Sequence, residues 1–258
     1  MGPGAVLDDI DRDLMRLVTG VGVAIAAEIP EAKEVVRIHP PGNSLISYTN
    51  TENNETISFD EAEILAVDSN FFRVFTFPMI KGDALTALQE PNSIVMTESC
   101  AKKYFGDDDP IGKMVQGGSI VLDQEIKTFT ITGVVKDPPE NSYIDFDILF
   151  SMTSLPRVRN SSWSWIWTMF ETYVLVEDNA TIEGVNEKLS QLPRKYAEKT
   201  LQGAMGTTYD EYIKSGKRWD LELQPIADIH LGSVDVINRF PNVGNLKTVY
   251  VLAGIVSF

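Results

Sequence analysis

The stretch from Gly133 to Leu149, GVVKDPPENSYIDFDIL, joins two β-rich runs through a double proline. The first run, FTITGVV, is rich in β-branched and aromatic residues, which favour a pleated sheet. Pro138 and Pro139 fix φ and lack an amide donor, so the first strand has to end before them. In the second run, YIDFDILF, apolar residues alternate with aspartates, which predicts a strand with one buried face. Because the stretch holds no nucleophile beside a base and no metal-ligand cluster, we predict a scaffold corner there.

Length and charge limit the class of protein. The chain has 258 residues, of which 43% are hydrophobic, enough for about one or two domains with apolar cores. Its 37 acidic and 22 basic residues give a net charge of −15, and nucleic acid is not expected as a partner because like charges repel. The single cysteine, Cys100, excludes an intramolecular disulfide framework and a multi-cysteine metal site.

Two apolar segments lie near the ends of the chain. Near the start, apolar residues recur at spacings of three and four up to Ile25, which predicts a helix that ends before Pro30. No cleavable signal peptide is visible there, because the first residues, MGPG, lack a basic region. At the other end, VYVLAGIVSF has ten residues without a charge, whereas a bilayer span needs about 20. This run fits either a buried strand or helix, or a membrane helix that is cut short.

Strand and helix patterns follow one another between these ends. Strands are predicted at EVVRI, NSLISYT, TISFDEAEILAV, SIVM, ETYVLVED and DLELQPI. Asp68 is expected to cap one short helix, and Thr97 to cap another that Gly106 ends. A further helix is predicted from Thr181, with a kink at Pro193. The fold class that follows is α+β with segregated units.

The segment GDDDPIGKM invites two interpretations as a ligand site. It does not fit a phosphate-binding loop, because five residues instead of four separate Gly106 from Gly112, and Met114 stands where Ser or Thr should bind magnesium. Asp107 to Asp109 suggest calcium, but three consecutive carboxylates do not converge on one ion as alternating ones do. We predict a solvated turn.

Asp228, His230 and Ser233 contain an acid, an imidazole and a hydroxyl within six residues. A catalytic triad normally gathers its members from distant segments beside an oxyanion site, and the chain has no nucleophile elbow, so a structural role is predicted. His39 is predicted to be a strand-end residue, since no ligand partner lies at metal-binding spacing. No catalytic residue, metal site or cofactor site is expected.

Trp163, Trp165 and Trp167 alternate in SWSWIWTM, so a strand there would direct all three side chains to one surface. Such a surface fits two roles. One is a stacking platform for sugars or peptides, and the other is a contact packed between two subdomains or against a partner. Burial of the three indoles distinguishes the two.

Several stretches in a fixed order resemble one known family. VDSNFFRVFTFPMIKGD, then EPNSIVMTESCAKKYFGDDDPIGKMV, then FTITGVVKDPPENSYIDFDILFSM are similar to the MacB-like periplasmic core domain of FtsX-like permeases. These permeases are membrane subunits of a class of bacterial ABC transporters, and the similarity to the variety common in Bacteroidetes is especially close. It is strongest over residues 28–152 and extends to LQPIADIHLGS by the order of elements.

The resemblance implies a two-part architecture. Residues 1–49 and 149–248 would form a porter-like α/β subdomain, and residues 50–148 an inserted β-rich subdomain, called Sabre in this family. Residues 249–258 would begin a truncated transmembrane helix. Both chain ends, near Leu14 and Leu246, would then lie at one end of the molecule, with the insert around Asp107 at the other.

The resemblance also implies a function. The chain would be a non-catalytic periplasmic domain, anchored in the inner membrane by flanking helices, that transmits ATP-driven conformational change to extracytoplasmic substrates or partners. A cytoplasmic ATPase subunit and a second permease copy would be its partners, and efflux, lipoprotein release and signalling all stay open. The alternative is a periplasmic ligand- or carbohydrate-binding module that uses the tryptophan platform.

Overall fold

The computed structural model describes residues 19–118, 126–140, 142–155, 158, 164–165 and 170–226. Helices and strands both contribute, which confirms the α+β class. The helices are α1 (Thr19–Glu28), α2 (Phe71–Val74), α3 (Glu98–Phe105), α4 (Ile182–Leu189), α5 (Leu192–Tyr196), α6 (Glu198–Met205) and α7 (Tyr209–Lys214), with a 3-10 turn at Met152–Ser154. The strands are β1 (Ala32–His39), β2 (Ser44–Thr49), β3 (Thr56–Glu61), β4 (Ile64–Val67), β5 (Met79–Gly82), β6 (Ser93–Thr97), β7 (Met114–Gly118), β8 (Lys127–Val135), β9 (Ile148–Ser151) and β10 (Glu171–Val176).

The strands of these described ranges form one mixed sheet of ten strands in the order β10-β1-β4-β9-β6-β8-β7-β2-β3, with β5 paired to β8. Two pairs are parallel, β4 with β9 and β6 with β8, and the other pairs are antiparallel. All residues of β4, β6 and β9 are buried. Continuous apolar runs of this kind are typical of strands covered on both faces.

Each face of the central strands has its own apolar core. Ile64, Ile94 and Ile148 point to one face and pack with α3, while their neighbours Leu65 and Val95 point to the other face and pack with α2. The alternation follows from the period of two along a strand. A third core joins α1 to the helices α4 to α7 beside β1 and β10.

Local signals placed several helix ends correctly. Thr97 Oγ1 accepts a hydrogen bond from the Cys100 amide at 3.3 Å, and Gly106 ends α3 with φ of 61°. Thr181 Oγ1 accepts from the Gly184 amide at the start of α4. The predicted kink at Pro193 is a full break, because α4 ends at Leu189 and α5 begins at Leu192 with the proline in its first turn.

Four predicted elements differ from the structure. TISFDEAEILAV is not one strand, because β3 ends at Glu61 and β4 begins at Ile64. Asp68 does not cap α2, whose N-cap Asn70 makes no side-chain cap bond, because the Asp68 carboxylate binds Arg37 instead. DLELQPI is not a strand, and residues 220–225 have no regular structure. In YIDFDILF only Ile148–Ser151 forms a strand. Ile144 and Phe146 are buried and Asp145 is exposed, so the predicted alternation of burial holds outside the ladder as well.

The double proline separates two strands that flank the same neighbour. β8 ends at Val135, and after the prolines the Ser142 amide bonds the Pro139 carbonyl in a turn. The chain re-enters the sheet at β9, and β6 lies between β8 and β9. The predicted scaffold corner is therefore the connection that carries the chain from β8, past β6, to β9.

The predicted subdomain boundaries fall within hydrogen-bonded parts of the sheet. The boundary at 49/50 lies between β2 and β3, which pair over six residues, and the boundary at 148/149 lies inside β9. The division into two subdomains stays a prediction. Leu14, Leu246 and residues 249–258 lie outside the described residues. Among the helices of the described ranges, none has the length and apolar character to cross a bilayer.

Candidate functional site

Trp165 lies in the helical core. Its side chain is 2% exposed and stacks on Tyr196, with ring centroids 5.8 Å apart and planes at 2°. The Trp219 ring lies 6.3 Å away on a tilted plane. A sugar cannot stack on an indole that is enclosed in this way. Trp163 and Trp167 lie outside the described residues, so the platform of three tryptophans stays a prediction.

A glycine lets α1 approach Trp165. A Cβ atom at Gly20 would lie 2.8 Å from Trp165 Nε1 and 2.9 Å from the Ser164 carbonyl oxygen, closer than van der Waals contact permits. The Gly20 amide donates to that carbonyl at 3.0 Å. The glycine that weakens the helical pattern in the sequence is therefore required by the packing of the helix.

The other end of α1 is tied to α5 by a charged cluster. Lys195 Nζ donates to Glu28 Oε1 at 2.7 Å, and Tyr196 Oη donates to the same oxygen. These two hydrogen bonds lower the pKa of Glu28. Lys188 of α4 also pairs with Glu31, which precedes β1. Both ends of α1 are thus fixed to the third core, the helical layer formed by Trp165 and helices α4 to α7.

Within the described ranges, two grooves open beside this core. One, of about 590 Å³, lies between α1 and the segment of α5 and α6, beside Trp165 and the exposed stem of Lys199. The other, of about 470 Å³, lies around α7. Its lining residues are Arg194, Tyr209, Asp210, Ile213, Lys214, Lys217, Arg218, Trp219 and Asp220. We call this second groove the basic pocket, because four of its nine lining residues are basic and two are acidic.

A nearly enclosed ion pair links β1 to the approach to α2. Arg37 donates from its amide and from Nε to Asp68 Oδ2, at 2.9 and 2.8 Å, and from a terminal nitrogen to Oδ1 at 2.8 Å. Burial lowers the pKa of the Arg37 guanidinium, but the hydrogen bond and charge of Asp68 outweigh this effect and raise it. A forked pair of this kind fixes direction as well as distance.

A buried carboxylate ends β3. Glu61 is 2% exposed and accepts hydrogen bonds from Tyr104 Oη at 2.6 Å and Lys103 Nζ at 2.8 Å. Burial and the bond to Glu61 raise the pKa of Tyr104. Burial, followed by the charge of Glu61, also raises the pKa of Asp147. The Glu61 carboxylate therefore holds α3 against β3, the edge strand of the sheet.

The segment GDDDPIGKM forms an exposed turn with paired charges. Asp108 and Asp109 are 71% and 67% exposed and pair with Lys113 and Lys81, each at 3.0 Å. Within the described ranges, no group of three or more His, Cys, Asp or Glu side chains is placed to hold a metal ion. His39 is a buried strand-end residue beside Phe170.

Cys100 is a buried residue of α3, and burial raises the pKa of its thiol, which keeps it protonated and unreactive. Asp228, His230 and Ser233 lie outside the described residues, and their structural role stays a prediction.

The fold and the order of motifs point to one family, and residues 5–192 match the MacB-like periplasmic core domain. The chain belongs to this family. A domain of a protein assigned as a permease from Porphyromonas gingivalis is similar to it, with 28% identity, a TM-score of 0.56, and coverage of 70% of this chain and 77% of that one. No curated protein sequence matches the chain.

The periplasmic region of MacB from Actinobacillus actinomycetemcomitans has the same fold. It is 17% identical, with a TM-score of 0.50, over 83% of this chain and 88% of that one. The predicted family is confirmed, and this MacB-like domain is a periplasmic domain of a permease of the ABC transporter class.

Sequence reasoning missed two features of this MacB-like domain. The basic pocket was not predicted, although residues 188–218 carry seven basic and three acidic residues in a chain of net charge −15. A charge count in a sliding window would have found it. The buried contacts of Glu61 could not be predicted from the sequence, because its partners Lys103 and Tyr104 are more than 40 positions away.

Proposed function

We propose that this MacB-like domain transmits ATP-driven conformational change from the membrane part of its permease to an extracytoplasmic substrate or partner, without catalysing a reaction. The observation that carries the proposal is the family match over residues 5–192. The packing of α1 adds a physical route, because this helix is fixed at Gly20 and at Glu28.

The route from α1 into the sheet is short. α1 packs on β1, and β1 lies between β10 and β4 in the sheet. Dense cores shift as bodies instead of deforming smoothly, so a tilt of α1 is expected to move the sheet and the helical layer together. The partners in this proposal are a cytoplasmic ATPase and a second permease copy, and flanking helices hold the domain at the inner membrane.

The proposal is tested on the full-length permease purified from membranes. We expect an ATPase subunit to copurify with it. Spin labels at Val23→Cys in α1 and Met114→Cys in β7 report the distance between helix and sheet, since these side chains are 48% and 62% exposed. Cys100→Ser removes the cysteine of this domain.

If the domain moves as one rigid body, the distance between the labels at positions 23 and 114 should be the same in the ATP-bound and ADP-bound states. The distance between the Met114 labels of two permease copies should change by several ångströms. Gly20→Ala disturbs the seat of α1 without touching either label site, so it should leave the ATPase bound but broaden the Val23–Met114 distance. A permease with no associated ATPase, or with nucleotide-independent distances between copies, would contradict the proposal.

A further inference from the structure

Charge is strongly segregated along this chain. Residues 188–218 carry a net charge of +4, so the rest of the chain carries −19. These residues form the end of α4, the helices α5 to α7 and the segment that follows. A cationic region of this kind on an acidic protein attracts anions locally while the remainder repels them.

The basic pocket collects this charge at one place. Arg194 pairs with Asp210 at 2.9 Å and Arg218 with Asp220 at 2.7 Å, and all four side chains are more than half exposed. Exposed pairs of this type are weak, so the arginines can exchange their partners for another anion. Lys214 and Lys217 bring the net charge of the lining residues to +2.

Two aromatic side chains, Tyr209 and Trp219, line the same pocket. Tyrosine and tryptophan are the residues that favour the boundary between lipid headgroups and water, because their rings are apolar and their polar atoms can face water. Basic and aromatic groups together therefore fit a membrane surface better than a soluble anion.

The pocket also lies close to the start of α1. Trp219 is 6.3 Å from Trp165 between ring centroids, and Trp165 contacts Gly20 in the first turn of α1. If the segments that flank the described core lead to the membrane, as the proposed function requires, the pocket lies at the end of the domain that faces the bilayer.

We propose that the basic pocket binds the phosphodiester headgroups of anionic phospholipids at the bilayer surface, an inference that rests on the proposed function for its geometry. Arg194, Lys214, Lys217 and Arg218 would supply the positive charge, and Tyr209 and Trp219 the interfacial rings. Binding there would fix the tilt of the domain on the membrane and so define the rest position from which α1 moves.

The test measures cosedimentation of the 258-residue chain with vesicles at 0.1 M salt, where the distant acidic groups are screened over about 10 Å. Vesicles of phosphatidylglycerol and phosphatidylcholine in equal parts are compared with phosphatidylcholine alone. We expect binding to the anionic vesicles only. Lys214→Glu with Arg218→Glu should lower the partition coefficient about ten-fold or more, because each basic group near an anionic surface contributes to binding.

The matched control is Lys102→Glu with Lys136→Glu, two exposed lysines outside the pocket. Both double variants change the net charge equally, so a difference between them reports the pocket and not overall repulsion. If the first variant unfolds, Lys214→Gln with Arg218→Gln replaces it, with an expected loss of about ten-fold.

Equal binding by the two double variants, or equal binding to neutral vesicles, would overturn the proposal. Stabilisation by inorganic phosphate that depends on the pocket, without vesicle binding, would overturn it in favour of a soluble anion. Copurification of the ATPase is measured separately, so a failed lipid test leaves the proposed function intact, and loss of the ATPase leaves vesicle binding measurable.

Discussion

Because Gly20 has no side chain beyond a hydrogen atom, α1 can pack directly against the Trp165 indole. Gly20→Ala is expected to lower the free energy of unfolding by about 1–3 kcal/mol, because the methyl group meets the indole and a carbonyl oxygen. Gly203 in α6 has no atom within 4 Å of the same methyl position. Gly203→Ala should therefore raise stability by about 0.5–1 kcal/mol, through helix propensity alone. Urea unfolding of both variants measures this difference, and equal signs would contradict the close packing of α1.

Asp147 is a source of pH dependence. Because its pKa is raised in the folded protein, its charged form costs stability above that folded-state pKa, and the cost disappears below the unfolded value of about 3.9. Asp147→Asn should raise Tm at pH 7 by roughly 2–4 °C, the shift that about 1 kcal/mol produces in a chain of this size. The gain should fade as the pH falls through the raised folded-state pKa of Asp147, and it should be lost below about 3.9.

Asp107→Asn is the matched control for Asp147→Asn. It removes the same charge from the exposed turn between α3 and β7. Its effect on Tm should be small and should vary little with pH between 4 and 7. A gain at Asp147 that persists at pH 3.5 would show that the carboxylate charge is not its cause.

Strand β5 depends on a glycine with a backbone that other residues rarely adopt. Gly82 has φ of 85°, and a Cβ atom there would lie 2.3 Å from the Thr132 carbonyl oxygen of β8. Gly112 has φ of 79° but open space around the same position. Gly112→Ala should cost about 1–2 kcal/mol from backbone strain alone. Gly82→Ala should cost about 1–3 kcal/mol more, since β5 has to leave β8. Equal losses in chemical denaturation would argue against this contact.

Elements with local signals could be predicted from the sequence, and pairings between distant segments could not. The apolar run of β6, the Thr97 cap and the Gly106 stop need only neighbouring residues, and all three were predicted correctly. Asp68 was assigned to the nearest helix start, because its true partner, Arg37, is 31 positions away.

The charge of the basic pocket has a local signal in residues 188–218, but its shape does not. Its lysines and arginines come from α5, from α7 and from the segment after α7, and only the fold brings them together. The tryptophans gave a strong pattern but no indication of burial, and Trp165 lies in the core because helices far along the chain enclose it.

The predicted division into a porter-like and an inserted subdomain can be tested by measuring which elements unfold together. The core that joins α1 to α4–α7 draws all its residues from the predicted porter-like unit, which supports the division. Hydrogen bonds across both boundaries oppose it. We expect native-state hydrogen exchange in low urea to release α1 and α4–α7 in one step, and β6 and β8 in a later one. A single common step would mean that the chain is one cooperative unit.

The position of β1 between β10 and β4 has a consequence for synthesis on the ribosome. Val35 of β1 pairs with Val174 of β10, and the buried side of α1 packs against residues up to Leu221. At about 5–20 residues per second, the ribosome needs roughly 7–30 s to translate the segment that separates β1 from β10. Throughout that time the apolar side of α1 has no partner from β10 or α4–α7. We therefore expect α1 and β1 to need the longest protection from aggregation during synthesis, for example by a holding chaperone.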